Sequence, residues 1–273
     1  MTGARLRGGA LTAITYAVVL LFFFPIFWTL LAGFKTESTA VSQPPALFFT
    51  PTLDNYRGAL ANADYVGFFT NSVIVSAGST LVALLLGVPA AFVLGLFPTK
   101  RSSGTLSWIL STKMMPAVGV VIPLIIIFKH VGLFDTLAGM IVLYTGLNLP
   151  LVIWMMRSFF SEVPKDIIEA ARVDGAPIAT ILWRITMPLV APGLAATALL
   201  CLIFAWNEFF LVVNLAGPHA STLPVFIAGF MTSEGLFWAK MSAAATLAIL
   251  PVCIAGWAAQ RALVRGLTLG AVK

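Results

Sequence analysis

The chain has 273 residues, 60% hydrophobic and only 10% charged, with a mean hydropathy of +1.00. Soluble domains carry about 25% charged residues, so this composition excludes a water-dissolved fold and points to an all-α, polytopic membrane protein. The net charge of +6, from 16 bases and 10 acids, concerns orientation in the bilayer, because no basic stripe interleaved with aromatic residues suggests nucleic acid.

Arg5 and Arg7 precede an apolar run from Ala10 to Phe34. It exceeds the roughly 7–15 apolar residues of a signal peptide and reads as an uncleaved first span. A span needs about 20 mostly apolar residues, and six segments qualify: 11–34, 69–97, 105–128, 137–157, 189–213 and 242–262. Pro25, Pro89, Pro116, Pro123, Pro150 and Pro251 fall inside them or at their edges, where proline kinks a helix if neighbours re-satisfy the freed carbonyls. Pro116 and Pro123 predict a strongly bent or broken third span, either a wall that moves or a packing kink. In the second span Gly87, Ala91 and Gly95 form a small-residue stripe suited to close helix packing; intramolecular packing is favoured over a subunit interface.

With the N-terminus inside, the inner segments hold eleven bases (Arg5, Arg7, Lys100, Arg101, Arg157, Lys165, Arg172, Arg184, Arg261, Arg265, Lys273) and the outer ones four (Lys35, Arg57, Lys129, Lys240). The positive-inside rule then places both termini in the cytoplasm. The connections 35–68 and 214–241 lie outside, with turns at Gln43-Pro44-Pro45, Thr50-Pro51 and Gly217-Pro218. Neither is large enough for an independent domain, so residues 1–273 are expected to form one transmembrane unit.

Between the fourth and fifth spans the chain turns polar. Glu162 to Pro188 holds four of the ten acids, Glu162, Asp166, Glu169 and Asp174. Pro164 suits the first turn of a helix, Gly175 can end one in the left-handed conformation, and Pro177 starts another. Ile178, Ile181, Leu182 and Ile185 fall on one face of that second helix. Glu169 flanked by Ala170 and Ala171 offers a close-approach surface with one charge. Such a hairpin either docks in a groove of another protein or lies on the bilayer.

Two ionisable residues fall within the expected spans. Lys113 lies about 12 Å and Glu208 about 25 Å or more from the cytoplasmic ends at about 1.5 Å per residue, so a direct ion pair requires offset helices. A charge there costs about 2.5–3.5 kcal/mol on insertion scales. With Asn148, Trp206 and Asn207 they either line a pathway for a polyol, or Lys113 snorkels and Glu208 sits at the outer interface. Cys201 and Cys253 read as small buried hydrophobes, and His130 and His219 as solvated loop residues; no metal or catalytic constellation emerges.

The spacing Glu169-Ala170-Ala171, three residues, Gly175, nine residues, then Ile185-x-Met187-Pro188 resembles the EAA loop, here 160–188, of binding-protein-dependent ABC transporter permeases. Met187 stands where the family pattern has Leu, a volume-conserving swap. Asn71-Ser72, Gly132-Leu133-Phe134-Asp135-Thr136, Trp206-Asn207-Glu208, Gly266-Leu267-Thr268 and Gly270-Ala271-Val272-Lys273 are similar to the sugar-importing branch, specifically the maltose-type second permease. Ser111 to Pro116 is similar to sorbitol/mannitol permeases.

The resemblance implies a non-catalytic subunit in the bacterial inner membrane. Glu169, Ala170, Ala171, Arg172, Asp174 and Gly175 would couple it to a cytoplasmic ATPase dimer, toward which the tail at Lys273 would also reach. It further implies a second, homologous permease and an extracytoplasmic solute-binding protein touching 214–241, besides membrane lipid. ATP and magnesium would be bound by the ATPase and no cofactor by this chain, which lacks the G-x-x-x-x-G-K-[ST] phosphate loop. A secondary transporter or channel is the alternative, and would show repeated halves and charged relays.

Overall fold

A computed structural model describes residues 2–61, 63–232 and 235–269; the tail Gly270-Ala271-Val272-Lys273 lies outside the described residues. The elements are α1 (Thr2–Gly33), α2 (Glu37–Ala40), α3 (Asp54–Ala61), α4 (Ala63–Leu96), α5 (Ser102–Lys113), α6 (Ala117–His130), α7 (Leu137–Ser161), α8 (Lys165–Val173) and α9 (Ile178–Thr180). A π-helical stretch (Ile181–Thr186) leads into α10 (Met187–Trp206), then α11 (Phe210–Leu215) and α12 (Leu223–Ala228). A two-residue antiparallel ladder pairs β1 (Met231–Thr232) with β2 (Gly235–Leu236) before α13 (Trp238–Leu269). Among the described residues, five stretches are long and apolar enough to cross a membrane, and a sixth if α5 and α6 count as one broken span.

The chain divides into two compact units. The first runs up to Tyr65 and includes Ile227–Leu250. In it α1 presents Leu11, Leu21 and Phe22 outward, an apolar surface that calls for lipid tails or another apolar chain against it. The Asn55 amide satisfies the last carbonyl of α1 and one just beyond it, donating to Gly33 O at 3.0 Å and Lys35 O at 2.7 Å. Lys35 is buried, its ammonium 4.5 Å from the Trp28 ring centroid and 5.1 Å from that of Phe49, so aromatic faces replace water around the cation. The Glu37 carboxylate accepts from Ala239 N at 3.0 Å and Lys240 N at 2.9 Å. It thereby occupies the positive end of α13.

The second unit comprises Val66–Phe226 and the residues from Pro251 on. Its centre is α7, which buries Met140, Tyr144, Val152, Met156 and Phe160. Glycines let the neighbours approach. A Cβ on Gly87 of α4 would sit 2.6 Å from Val152 Cγ1, and one on Gly95 2.9 Å from Phe160 Cβ. On the other side a Cβ on Gly193 of α10 would strike the Phe159 ring. The stripe Gly87-Ala91-Gly95 therefore seats α4 on α7 inside this chain. Two buried hydroxyls turn back on their own helices, Thr145 Oγ1 donating to Ile141 O at 2.7 Å and Thr197 Oγ1 to Gly193 O at 2.8 Å, which pairs these donors within an apolar interior.

The expected break in the third span is present, while other boundaries differ from the expectation. The third span breaks at Met114–Pro116, where α5 and α6 meet at 88°; Pro116 opens the second arm and Pro123 is carried inside it without a further break. The fifth span, expected over 189–213, runs without interruption from Ile178 to Trp206. An α turn would crowd the Pro188 ring against the carbonyl four residues earlier, and the wider π turns immediately before it relieve that clash. Glu208 therefore lies beyond the helix end, outside any span. Of the expected apolar face, Ile181 and Leu182 are buried while Ile178 is exposed. Cys253 faces outward, because apolarity does not distinguish a lipid-facing position from a core position.

Candidate functional site

The polar segment folds as a helix, a glycine corner and a second helix. Pro164 sits at the N-cap of α8 rather than inside its first turn. Gly175 adopts φ +76° and its N–H donates to Arg172 O at 3.0 Å, while Ala176 N closes on Ala171 O at 3.0 Å. Ile168 and Ala171 are buried in a core cluster with Phe92, Phe160 and Ile181, which roots α8 in the bundle. Glu169, Ala170, Arg172, Asp174 and Gly175 are exposed, and so is Val173, at 87%. Arg172 lays its guanidinium 5.1 Å from the Phe97 ring centroid. Of the six predicted coupling residues, five thus share an accessible surface and Ala171 anchors it.

The second site is a cavity of about 560 Å³ beside the α5–α6 elbow, walled by α7 and the end of α10. It falls within the roughly 300–1,000 Å³ of small-molecule sites. Lys113, Asn148 and Glu208 all line it. With the 88° break, the end of α5 lies beside the middle of α7, so depth counted along a straight span does not apply to Lys113. Its ammonium donates to Leu147 O at 2.7 Å, a carbonyl three residues before Pro150, where a proline loosens the helix ladder. Asn148 Nδ2 donates to Cys201 O at 3.2 Å. Glu208 Oε1 accepts from Leu211 N at 2.9 Å, at the start of α11.

Trp206 and Asn207 are not on this cavity. Trp206 is buried edge-on against Phe69, centroids 6.0 Å apart, and Asn207 turns its amide back to Ile203 O at 2.8 Å. Neighbours in sequence diverge here because the helix ends between them. Tyr144 and Phe204, which sequence reasoning passed over, do line the cavity. A lone aromatic residue in an apolar span carries no signal that separates pocket from core.

A third arrangement gathers motifs that had no assigned role. Asp135 Oδ1 accepts from Gly217 N at 2.7 Å and Ala220 N at 2.9 Å, and Asp135 N donates to Leu215 O at 3.1 Å. Asn71 Nδ2 donates to His219 O and Ser221 O, each at 3.0 Å, and Ser72 Oγ accepts from Leu223 N at 2.8 Å. The loop from Leu215 to Leu223 is clamped from two sides, which fixes the cavity-lining Leu211 and Glu208 just before it.

Residues 83–269 match the family of binding-protein-dependent transport system inner membrane components. The chain belongs to that family. This permease is accordingly a multi-pass protein of the cytoplasmic membrane. The permease is similar to the trehalose transport system permease protein SugB of Mycobacterium tuberculosis, 35% identical over 254 residues that cover 91% of this chain and 92% of that protein. It is also similar to the trehalose/maltose transport system permease protein MalG of Thermococcus litoralis, 32% identical over 265 residues, 96% of this chain and 94% of that one. Its fold matches a chain of a bacterial ABC transporter involved in the import of the acidic polysaccharide alginate. That match has a TM-score of 0.76 at 22% identity and covers 96% of this chain and 98% of the other. The matched family region contains both the α8 surface and the cavity.

Proposed function

We propose that this permease is one of two homologous membrane subunits of an ATP-driven importer that moves a sugar or polyol into the cell by alternating access. Residues 1–273 form a single transmembrane domain with both termini in the cytoplasm. The observation that carries the coupling is α8: Ile168 and Ala171 root it in the core while Glu169, Ala170 and Val173 face away. An amphipathic helix presented this way fits a groove on a partner, here a dimeric cytoplasmic ATPase that binds ATP and magnesium, with no cofactor on this chain. An extracytoplasmic solute-binding protein delivers the cargo to the face carrying 214–241. The sugar class is supported by the similarity to SugB, of a trehalose transport system, and to MalG, of a trehalose/maltose transport system.

The test is co-expression with the neighbouring ATPase and permease genes, isolation of the complex and ATP-driven uptake in proteoliposomes. Glu169→Ala should leave the permease inserted but lower uptake and ATP hydrolysis together by about tenfold, equivalent to about 1.4 kcal/mol of coupling. Gly175→Pro should act more strongly. Proline cannot adopt φ +76° and has no N–H for Arg172 O. Unchanged uptake in both variants, or transport by the chain alone on an ion gradient, would sink this reading.

A further inference from the structure

We propose that this chain holds its own solute subsite in the cavity at the α5–α6 elbow, and that its ligand is an uncharged polyhydroxylated molecule gripped between the Lys113 ammonium and the Glu208 carboxylate. The inference rests on the importer reading and names the chemistry one of its subunits performs on the cargo.

Both charges line the same cavity of about 560 Å³, and each is held by a separate backbone group rather than by the other. Lys113 gives one hydrogen bond to Leu147 O at 2.7 Å, and Glu208 accepts one from Leu211 N at 2.9 Å through Oε1. An ammonium carries three donors and a carboxylate two oxygens with several lone pairs, so each group keeps capacity for a ligand after it has been fixed in place. A donor pole and an acceptor pole on one cavity match a sugar hydroxyl pair, in which one hydroxyl accepts while the next donates.

The charges also select. One positive and one negative group leave the cavity with no net attraction for an anion or a cation, since either would meet repulsion from one of the two. The remaining walls suit the C–H faces of a sugar: Phe204 lies with its ring centroid 5.5 Å from the Lys113 ammonium, and Tyr144 donates to the Glu208 backbone carbonyl at 3.4 Å. Asn148, buried and bonded to Cys201 O, adds an amide at the base. The Leu147 carbonyl accounts for one of the three Lys113 donors and the Leu211 N–H for one Glu208 oxygen, and neither bond uses the remaining capacity that faces the shared cavity.

The test uses the assembled importer in proteoliposomes, with [14C]trehalose and [14C]sorbitol as probes, and reads solute moved per ATP hydrolysed. Lys113→Met and Glu208→Gln should each lower that ratio by about tenfold, and Lys113→Arg, which keeps a donor, should restore most of it. A coupling defect at Glu169 lowers both quantities together and leaves the ratio alone. In a Cys253→Ser background, Thr112→Cys on the cavity wall should be alkylated more slowly in the presence of either probe, whereas glucuronate should give no protection. Equal protection by glucuronate overturns the uncharged class, and an unaltered ratio in both charge variants overturns the subsite while leaving the importer intact. A wild-type complex that moves neither probe on ATP overturns the sugar-import reading and the subsite with it.

Discussion

Gly139→Ala should sharply lower the accumulation of folded permease, although it adds a single methyl group. Gly139 lies in the first turn of α7, where the Thr136 side chain caps it by accepting from Gly139 N at 2.9 Å. A Cβ at this position would run into the Leu133 carbonyl and stand 3.0 Å from Thr136 Oγ1. The first obstacle is backbone, which cannot rotate aside as a side chain would. Leu133 is itself tied down, its N–H bonded to Phe128 O at 2.8 Å. Relief would shift the 131–136 turn and the start of the most buried helix of its unit, an effect in the class of overpacked cores, about 1–3 kcal/mol and occasionally more. The check is the yield of membrane-extracted monodisperse protein and its melting temperature beside Gly146→Ala, whose added Cβ meets nothing within 4 Å.

Asp135→Ala should have the second large effect, destabilising by about 3 kcal/mol or more and reducing uptake. The carboxylate accepts from Gly217 N and Ala220 N at 2.7 and 2.9 Å. Hydrogen bonds to a charged group contribute about 1.5–3 kcal/mol each. Asp135 also sits at φ +55°, a conformation aspartate tolerates far better than alanine. Asp135→Asn should recover part of the loss, because an amide oxygen still accepts and asparagine also tolerates this backbone. Thermal unfolding of the detergent-solubilised complex separates these outcomes; equal melting temperatures for wild type and Asp135→Ala would refute the clamp.

Much of this was legible in the sequence, for identifiable reasons. Lipid imposes runs of about 20 apolar residues, so the spans announce themselves, and Pro116 marks the break in the third. Gly175 followed by Pro177 fixes the corner of the polar segment because few residues other than glycine adopt its backbone conformation. The small-residue stripe of α4 was readable because only such residues permit the approach seen between Gly87 and Val152. The misses share a different origin. Pro188 reads as a boundary under α-helical rules, and the π turns before it suspend them. Trp206, Asn207 and Glu208 were grouped by adjacency, yet α10 ends between them and sends each to a different place. Asp135 bonds to residues more than 80 positions away, a distance over which no local pattern reports.

The uninterrupted helix from Ile178 to Trp206 has a mechanical meaning. It begins three residues after the Gly175 corner and ends two before Glu208. At about 1.5 Å per residue it is a rod of about 44 Å, with no hinge loop in which a push could dissipate. A stroke applied at α8 would arrive at the cavity as a displacement of the Glu208 end relative to Lys113, which belongs to another helix. If α8 docks on an ATPase and the cavity holds solute, as proposed above, the Lys113 and Glu208 sides of the cavity would part in step with that stroke.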